Sequence, residues 1–395
     1  MKVLIVGCGI GGLNIGYKLL KKGYNVELID KNNYVGGRIQ TIKGKNYQYE
    51  AGAARFNNNH KKLIKIINQF KLTKYKIPND YIFKPSYKIN DNNNFLEIVL
   101  KKMNRFNKKY LQQFTFYELS EKLIGNQKTK IMMDKFGYYS ELKIMNAYDS
   151  KNSLEEDLNE KLQFYVIGEG LTELCERLCI AIKKLSGKIY LKSNLNNIIE
   201  KDGKYLCNIN GKNKEYDRII LCCNKETLLR LKILNPIKNK LNSVSCQPLF
   251  RIYAKYPLKN NEVWFKDIPK LKTNRLLKYI IPIDYEKGII MISYTDGLNA
   301  RKILSNDNIE EVIEKQLELI YPEIKIPKAI WYKYYYWGNG ACYWKKNNDS
   351  DKLVKEMIKP FKNKEIYIGG DNYSQRQAWM EGSLETTDMI LDYFN

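Results

Sequence analysis

One histidine, His60, occurs in 395 residues. That scarcity removes the imidazole ligands a zinc centre draws on, and no metal site is expected. A histidine-based catalytic triad would have to use His60, and no nucleophile motif points to it. The eight cysteines contain no C-x-x-C pair. Cys222 and Cys223 are adjacent, and Cys175 and Cys179 lie one helical turn apart. Free thiols in a reducing intracellular compartment, such as the cytoplasm, are the expectation. Long apolar runs are also missing. The start, MKVLIVGCGIGGL, is broken by glycines and too short to span a membrane, and no signal peptide precedes its first strand. No membrane partner is expected. No block of five or more basic residues occurs, although the net charge is +24. The excess is mostly scattered lysine among Asn, Ile and Tyr, which does not favour a dedicated nucleic-acid surface.

What is present is an ordinary globular balance, 44% hydrophobic and 28% charged, long enough for two lobes with their own cores. KVLIV at 2–6 is a continuous apolar run of the kind buried in a parallel sheet. GCGIGG follows, then an apolar-periodic helix that ends at Gly23, then a second strand, NVELID. Residues 59–71 and 169–187 have amphipathic helical periodicity, 95–165 is helix-rich, and 188–224 alternates like short strands. PLFRIYAKYP and YIIPIDYEKGIIMISYTDG predict a second sheet, 308–324 a helix, and 377–394 a closing helix. The fold class is therefore α/β, a Rossmann-like nucleotide-binding lobe interleaved with a mixed α+β lobe. The first is expected from 1–71, 166–242 and 336–395, and the second from 72–165 and 243–335.

Gly7, Gly9 and Gly12 form G-x-G-x-x-G between a strand and a helix. Glycines there allow a tight turn and let backbone N–H groups approach a pyrophosphate at the positive end of a helix. Asp30 ends the second strand, where a carboxylate can accept from ribose hydroxyls. GGR follows at 36–38, and the Arg38 guanidinium can neutralise a pyrophosphate.

This order of glycine turn, acid and GGRIQT resembles the flavin-containing amine oxidase superfamily, including monoamine oxidases and L-amino-acid oxidases. IGEGLTELCERLC, DRIILCCN and IYIGGDNYSQRQAWMEGSLETT resemble later segments of that family. The resemblance implies an FAD-dependent oxidoreductase. It places the cofactor against Gly7, Gly9, Ile10, Gly11 and Gly12, against Asp30, Lys31, Gly37 and Arg38, and against Gly52, Ala53, Ala54 and Arg55. It adds Leu195, then Gly370 and Asp371 (the acid on the ribityl chain), then Ala378, Trp379 and Met380 at the start of the closing helix. Trp379 and Tyr343 would form aromatic walls over the flavin, serving both catalysis and substrate binding. Core packing is the competing account of Trp379 and of the aromatic run YYYWGNGACYW. Cys342 falls where monoamine oxidases carry a cysteine bonded to flavin, which makes it a candidate covalent anchor. Arg251 falls where the family has a lysine holding a water near flavin N5, and arginine does not duplicate a compact ammonium.

The segment GAARF at 52–56, followed by His60, resembles L-amino-acid oxidases at the point where an arginine pairs with the substrate carboxylate. Asn57 stands where those enzymes often have proline. Arg55 thus has three readings: a carboxylate ligand, a cofactor contact or structural cation, and a surface charge. Tyr279 is the nearest tyrosine to assist it, and His60 reads as a structural helix-start residue. The implied reaction is oxidation of a C–N bond in an amine or L-amino acid, with hydride passing to flavin and molecular oxygen as acceptor. A desaturase-like reaction on a non-amine, and an FAD-binding interaction protein with a basic surface, are the alternatives.

Overall fold

The computed structural model describes residues 1–89, 91, 93–159 and 161–394. Its centre is a five-stranded parallel sheet. In spatial order the strands are Ile366–Ile368, Arg218–Leu221, Lys2–Val6, Asn25–Ile29 and Lys188–Tyr190. Both faces are covered, so the strands are apolar runs rather than alternating ones: Val3, Leu4, Ile5, Ile219, Ile220, Leu221 and Ile366 have no exposed surface. Strands drawn from both ends of the chain and from its middle lie side by side here.

The helix Ile10–Lys21 rises from the end of the first strand and packs close to the sheet. Gly16 permits that approach, since a Cβ there would sit 3.1 Å from Leu28 Cδ2. The closing helix, Met380–Leu391, lies against Ile10–Lys21, and the helix Leu171–Lys184 covers its other side. A three-stranded antiparallel meander spans Leu195–Lys201, Lys204–Ile209 and Lys212–Tyr216.

The second sheet has six strands, in the order Trp331–Trp344, Val244–Lys255, Ile289–Asp296, Tyr279–Asp284, Leu271–Lys272 and Ile82–Phe83. All its pairings are antiparallel except the last. Helices between Phe95 and Glu156 build a separate apolar core around Val99, Met103, Phe116 and Leu142. A small sheet of Phe56–Asn57, Phe164–Ile167 and Lys74–Ile77 joins the lobes beside Arg55. The aromatic run is one continuous strand, Trp331–Trp344, so the sequence boundary at 335/336 falls inside an element. Sequence periodicity could not place that edge, because the strand's aromatic character does not change where it passes from one neighbourhood to the next.

Candidate active site

The glycine turn sets the first wall. Gly7 has φ +108°, and a Cβ there would lie 2.2 Å from the Cys222 carbonyl oxygen. At Gly12 a Cβ would lie 1.9 Å from the Gly7 oxygen. Both positions are demanded by the protein's own packing. Gly9 is different: a Cβ there meets nothing closer than Gly36 O at 3.9 Å. Its bareness leaves a cradle rather than relieving a clash. Gly9 caps Ile10–Lys21 without a side-chain hydrogen bond, and the first turn holds no acidic residue. The helix's leading N–H groups and positive end therefore face the cradle open, a setting for a phosphate. Asp30 is fixed beside them, its Oδ2 accepting from Cys8 N at 2.8 Å and its Oδ1 from Asn32 N at 2.9 Å. Open helix N–H groups, an uncrowded glycine and an oriented carboxylate fit the pyrophosphate and ribose of FAD.

This wall opens into a cavity of ≈ 780 Å³. Every residue assigned to the site from sequence lines that cavity except Cys342 and Tyr279. Cys342 is 1% exposed and forms a disulfide with Cys246, its cross-strand partner. The expectation of a covalent flavin anchor is therefore corrected: the sulfur is already bonded, and it points into a core with Val244 and Trp344. The expectation of free thiols is corrected for this pair, while six cysteines are free among the described residues. Gly340 and Tyr343, on either side of Cys342, do line the cavity.

Arg38 was expected on the pyrophosphate. Here its guanidinium grips Asp371 with both Nη atoms and donates from Nη1 to Gly340 O at 2.9 Å. The pair ties the second glycine turn to the C-terminal strand end and holds Asp371 in place. Trp379 is the N-cap of the closing helix and meets His60 edge-on at 4.9 Å. His60 is fully buried, with Nε2 3.1 Å from Asp157 Oδ1, which agrees with its structural reading at the start of Lys61–Gln69. Glu381 locks the closing helix to that same start by accepting from the N–H groups of Lys62 and Leu63.

Arg55 lines the cavity half-buried, not at the surface. Its guanidinium lies 4.4 Å from the Phe164 ring centroid, and Nη1 donates to Asn79 Oδ1 at 3.2 Å. Among the described residues no carboxylate is ion-paired with it. Lys270 lines the same region, with Nζ on Pro78 O at 2.7 Å; burial, then the Arg55 charge, lowers its pKa. Arg251 lines the cavity but is pinned, with Nη1 on Glu50 O at 2.8 Å and the guanidinium 4.6 Å from the Tyr294 ring. Tyr279 does not assist Arg55. It is outside the cavity lining, and its hydroxyl donates to Phe136 O at 2.8 Å. Tyr81 and Tyr138, which pack on Tyr279 at 5.6 and 5.0 Å, take the cavity-facing place instead.

An acidic wall was not anticipated from sequence. Glu141 and Asp296 both line the cavity. Asp296 accepts the backbone N–H groups of Tyr139 and Ser140, each at 2.7 Å. Glu141 Oε1 accepts from the Tyr343 hydroxyl at 3.0 Å. Burial, and then the neighbouring Asp296 charge, pushes the Glu141 carboxyl up to about 8. These residues lie far apart in the chain and carry no local motif. Only the pairing of the helical lobe with the second sheet brings them together.

A family profile described as flavin-containing amine oxidoreductase matches residues 10–387. Short stretches match curated proteins. A 1-hydroxycarotenoid 3,4-desaturase of Flavobacterium is 39% identical over 59 residues, 15% of this chain and 12% of that one. An L-amino-acid oxidase of Crotalus adamanteus is 32% identical over 71 residues, 18% and 14% of the two chains. The aligned stretches thus span a small part of these relatives' lengths. A solved structure from Exiguobacterium sp. 255-15, named as a protoporphyrinogen oxidase, superposes with TM-score 0.76 at 13% identity, covering 100% of this chain and 98% of that one. That likeness is one of fold.

Proposed function

The chain belongs to the flavin-containing amine oxidoreductase family and is an FAD-dependent oxidoreductase; we propose that it oxidises the C–N bond of an L-amino acid, with molecular oxygen as acceptor. The observation that carries this reading is Arg55, a cation facing the cavity with no carboxylate paired to it among the described residues. A planar guanidinium binds a carboxylate through two parallel hydrogen bonds and so fixes the orientation of the α-carbon. Lys270 adds a second positive charge in the same region.

FAD, when bound, supplies the hydride acceptor. Gly7, Gly9, Gly12 and Asp30 would hold its nucleotide half, and Asp371, Ala378 and Met380 its ring end. The chain's own residues do the rest. Tyr81, Tyr138 and Tyr294 wall the substrate region with rings and limit water there. Tyr343 and Trp379 supply flat aromatic faces that exclude water around the reacting carbon, and the amine gives up its proton before hydride leaves. The hydrolysis of the resulting imine needs only water.

A panel of L-amino acids and simple amines, read by peroxide release from the flavin-loaded protein, tests the proposal. Turnover confined to amines without a carboxylate would refute it. A second reading, desaturation of a carbon–carbon bond, is supported by the local match to a carotenoid desaturase and by arginine standing at position 251. Consumption of a polyene precursor in place of amino acids in the same assay would favour it.

A further inference from the structure

The cavity has an unused acceptor opposite its cations. Glu141 is 9% exposed and lines the cavity, and its Oε2 has no hydrogen-bond partner among the described residues. Its neighbour Asp296 is 2% exposed and accepts the backbone N–H groups of Tyr139 and Ser140; no cation is ion-paired with either acid among the described residues. A buried carboxyl oxygen without a donor is costly, and two adjacent acids compound the cost. Packing does not force this arrangement, because the wall borders open volume that a ligand can fill.

We propose that Glu141 is the ligand for a protonated nitrogen, an organic ammonium or amidinium, carried by the molecule that occupies this cavity. The raised Glu141 carboxyl keeps its proton when the cavity holds no ligand; a neutral donor leaves that unchanged, whereas a cation stabilises the ionised carboxylate and supplies its countercharge. Tyr343 donates its hydroxyl to Oε1, which leaves Oε2, covered as the side chain stands, as the oxygen a ligand reaches when the carboxyl turns toward the cavity. Tyr138 and Tyr294, 5.6 Å apart between centroids, bridge this wall to the Arg55 region. The cavity then presents a positive wall and a negative wall joined by aromatic rings, a match for a zwitterion. The inference rests on the reading of this cavity as the substrate site, but it does not require that the occupant be oxidised.

The test uses flavin-loaded protein and calorimetric titration with 2-phenylpropan-2-ammonium, which has no α-hydrogen and is not turned over. Its uncharged isostere, 2-phenylpropan-2-ol, is the control. The wild type binds the cation more tightly than the alcohol. Glu141→Gln weakens the cation about 10- to 100-fold, as expected for a hydrogen bond to a charged group, and leaves the alcohol within about twofold, which also reports that the cavity is intact. Equal losses for both probes, or no loss for the cation, would overturn the assignment. So would a wild type that prefers the alcohol, a result that needs no variant. Cation binding through Glu141 without peroxide release from any amino acid would defeat the oxidase reading and leave this one standing.

Discussion

Alanine at Gly9 and alanine at Gly12 should fail for different reasons. Gly9 has φ −71° and ψ 176°, a conformation alanine adopts freely, and its added Cβ would meet no atom nearer than 3.9 Å. Alanine is a poorer helix cap than glycine, but it restricts the unfolded chain by about 0.4–1 kcal/mol. These offset within roughly 1 kcal/mol, so the apoprotein should melt within about 2–4 °C of wild type. The new methyl would instead occupy the cradle under the pyrophosphate. If that weakens FAD about a hundredfold, the stabilisation from cofactor near 100 Kd falls from about 2.7 to about 0.4 kcal/mol. Gly12→Ala puts its Cβ 1.9 Å from a backbone oxygen, so it should cost the apoprotein more than about 3 kcal/mol before cofactor is considered. Thermal melts with and without added FAD read both effects. The reasoning is refuted if Gly9→Ala keeps the full FAD-induced shift, or if its apo form is as damaged as that of Gly12→Ala.

Arg55→Met should lower kcat/KM for amino acids about 10- to 100-fold, the worth of a charged hydrogen-bonded contact, while leaving simple amines near their wild-type rates; equal losses across both substrate classes would count against carboxylate binding. Acid precipitation should release all flavin to the supernatant, and alkylation under denaturing, non-reducing conditions should modify six cysteines, rising to eight after reduction. Flavin retained in the pellet would restore Cys342 as an anchor. Burial pushes the Asp149 carboxyl up to about 7, above the roughly 3.9 of an unfolded chain. The folded state therefore holds the proton more tightly, and this contribution to stability is full below about pH 4 and lost as pH rises through about 7. Asp149→Asn, which keeps the group neutral beside Ser350 and Asn146, should gain stability relative to wild type in melts from about pH 5 to 8; a constant difference across that range would contradict the assignment.

The nucleotide half of the site was legible because its physics is local. A strand, a glycine-rich turn and a helix are contiguous, so Gly7, Gly9, Gly12 and Asp30 could be read together. Arg55 was legible through the small residues before it. Cys342 misled, because its role depends on the register of two strands distant in sequence, and that register sets Cys246 opposite it. Tyr279 misled because its hydroxyl is taken by Phe136 O, while Tyr81 and Tyr138, which pack on its ring, line the cavity in its place. Glu141, Asp296, Tyr138 and Lys270 left no trace, since each is an ordinary polar residue until the helical lobe and the second sheet enclose them.

The central sheet also governs when the site can exist. Lys2–Val6 lies in the middle of that sheet, and its edge strand, Ile366–Ile368, comes with Asp371 and the closing helix. At about 5–20 residues per second, a ribosome exposes the glycine turn tens of seconds before the segment that completes its wall. Through that interval the early strands have no finished edge, and the helix that seals the far side of the cavity does not yet exist. The wall that Asp371 and the closing helix supply thus comes last of the site's parts, and a chain stalled before them would be an empty clasp.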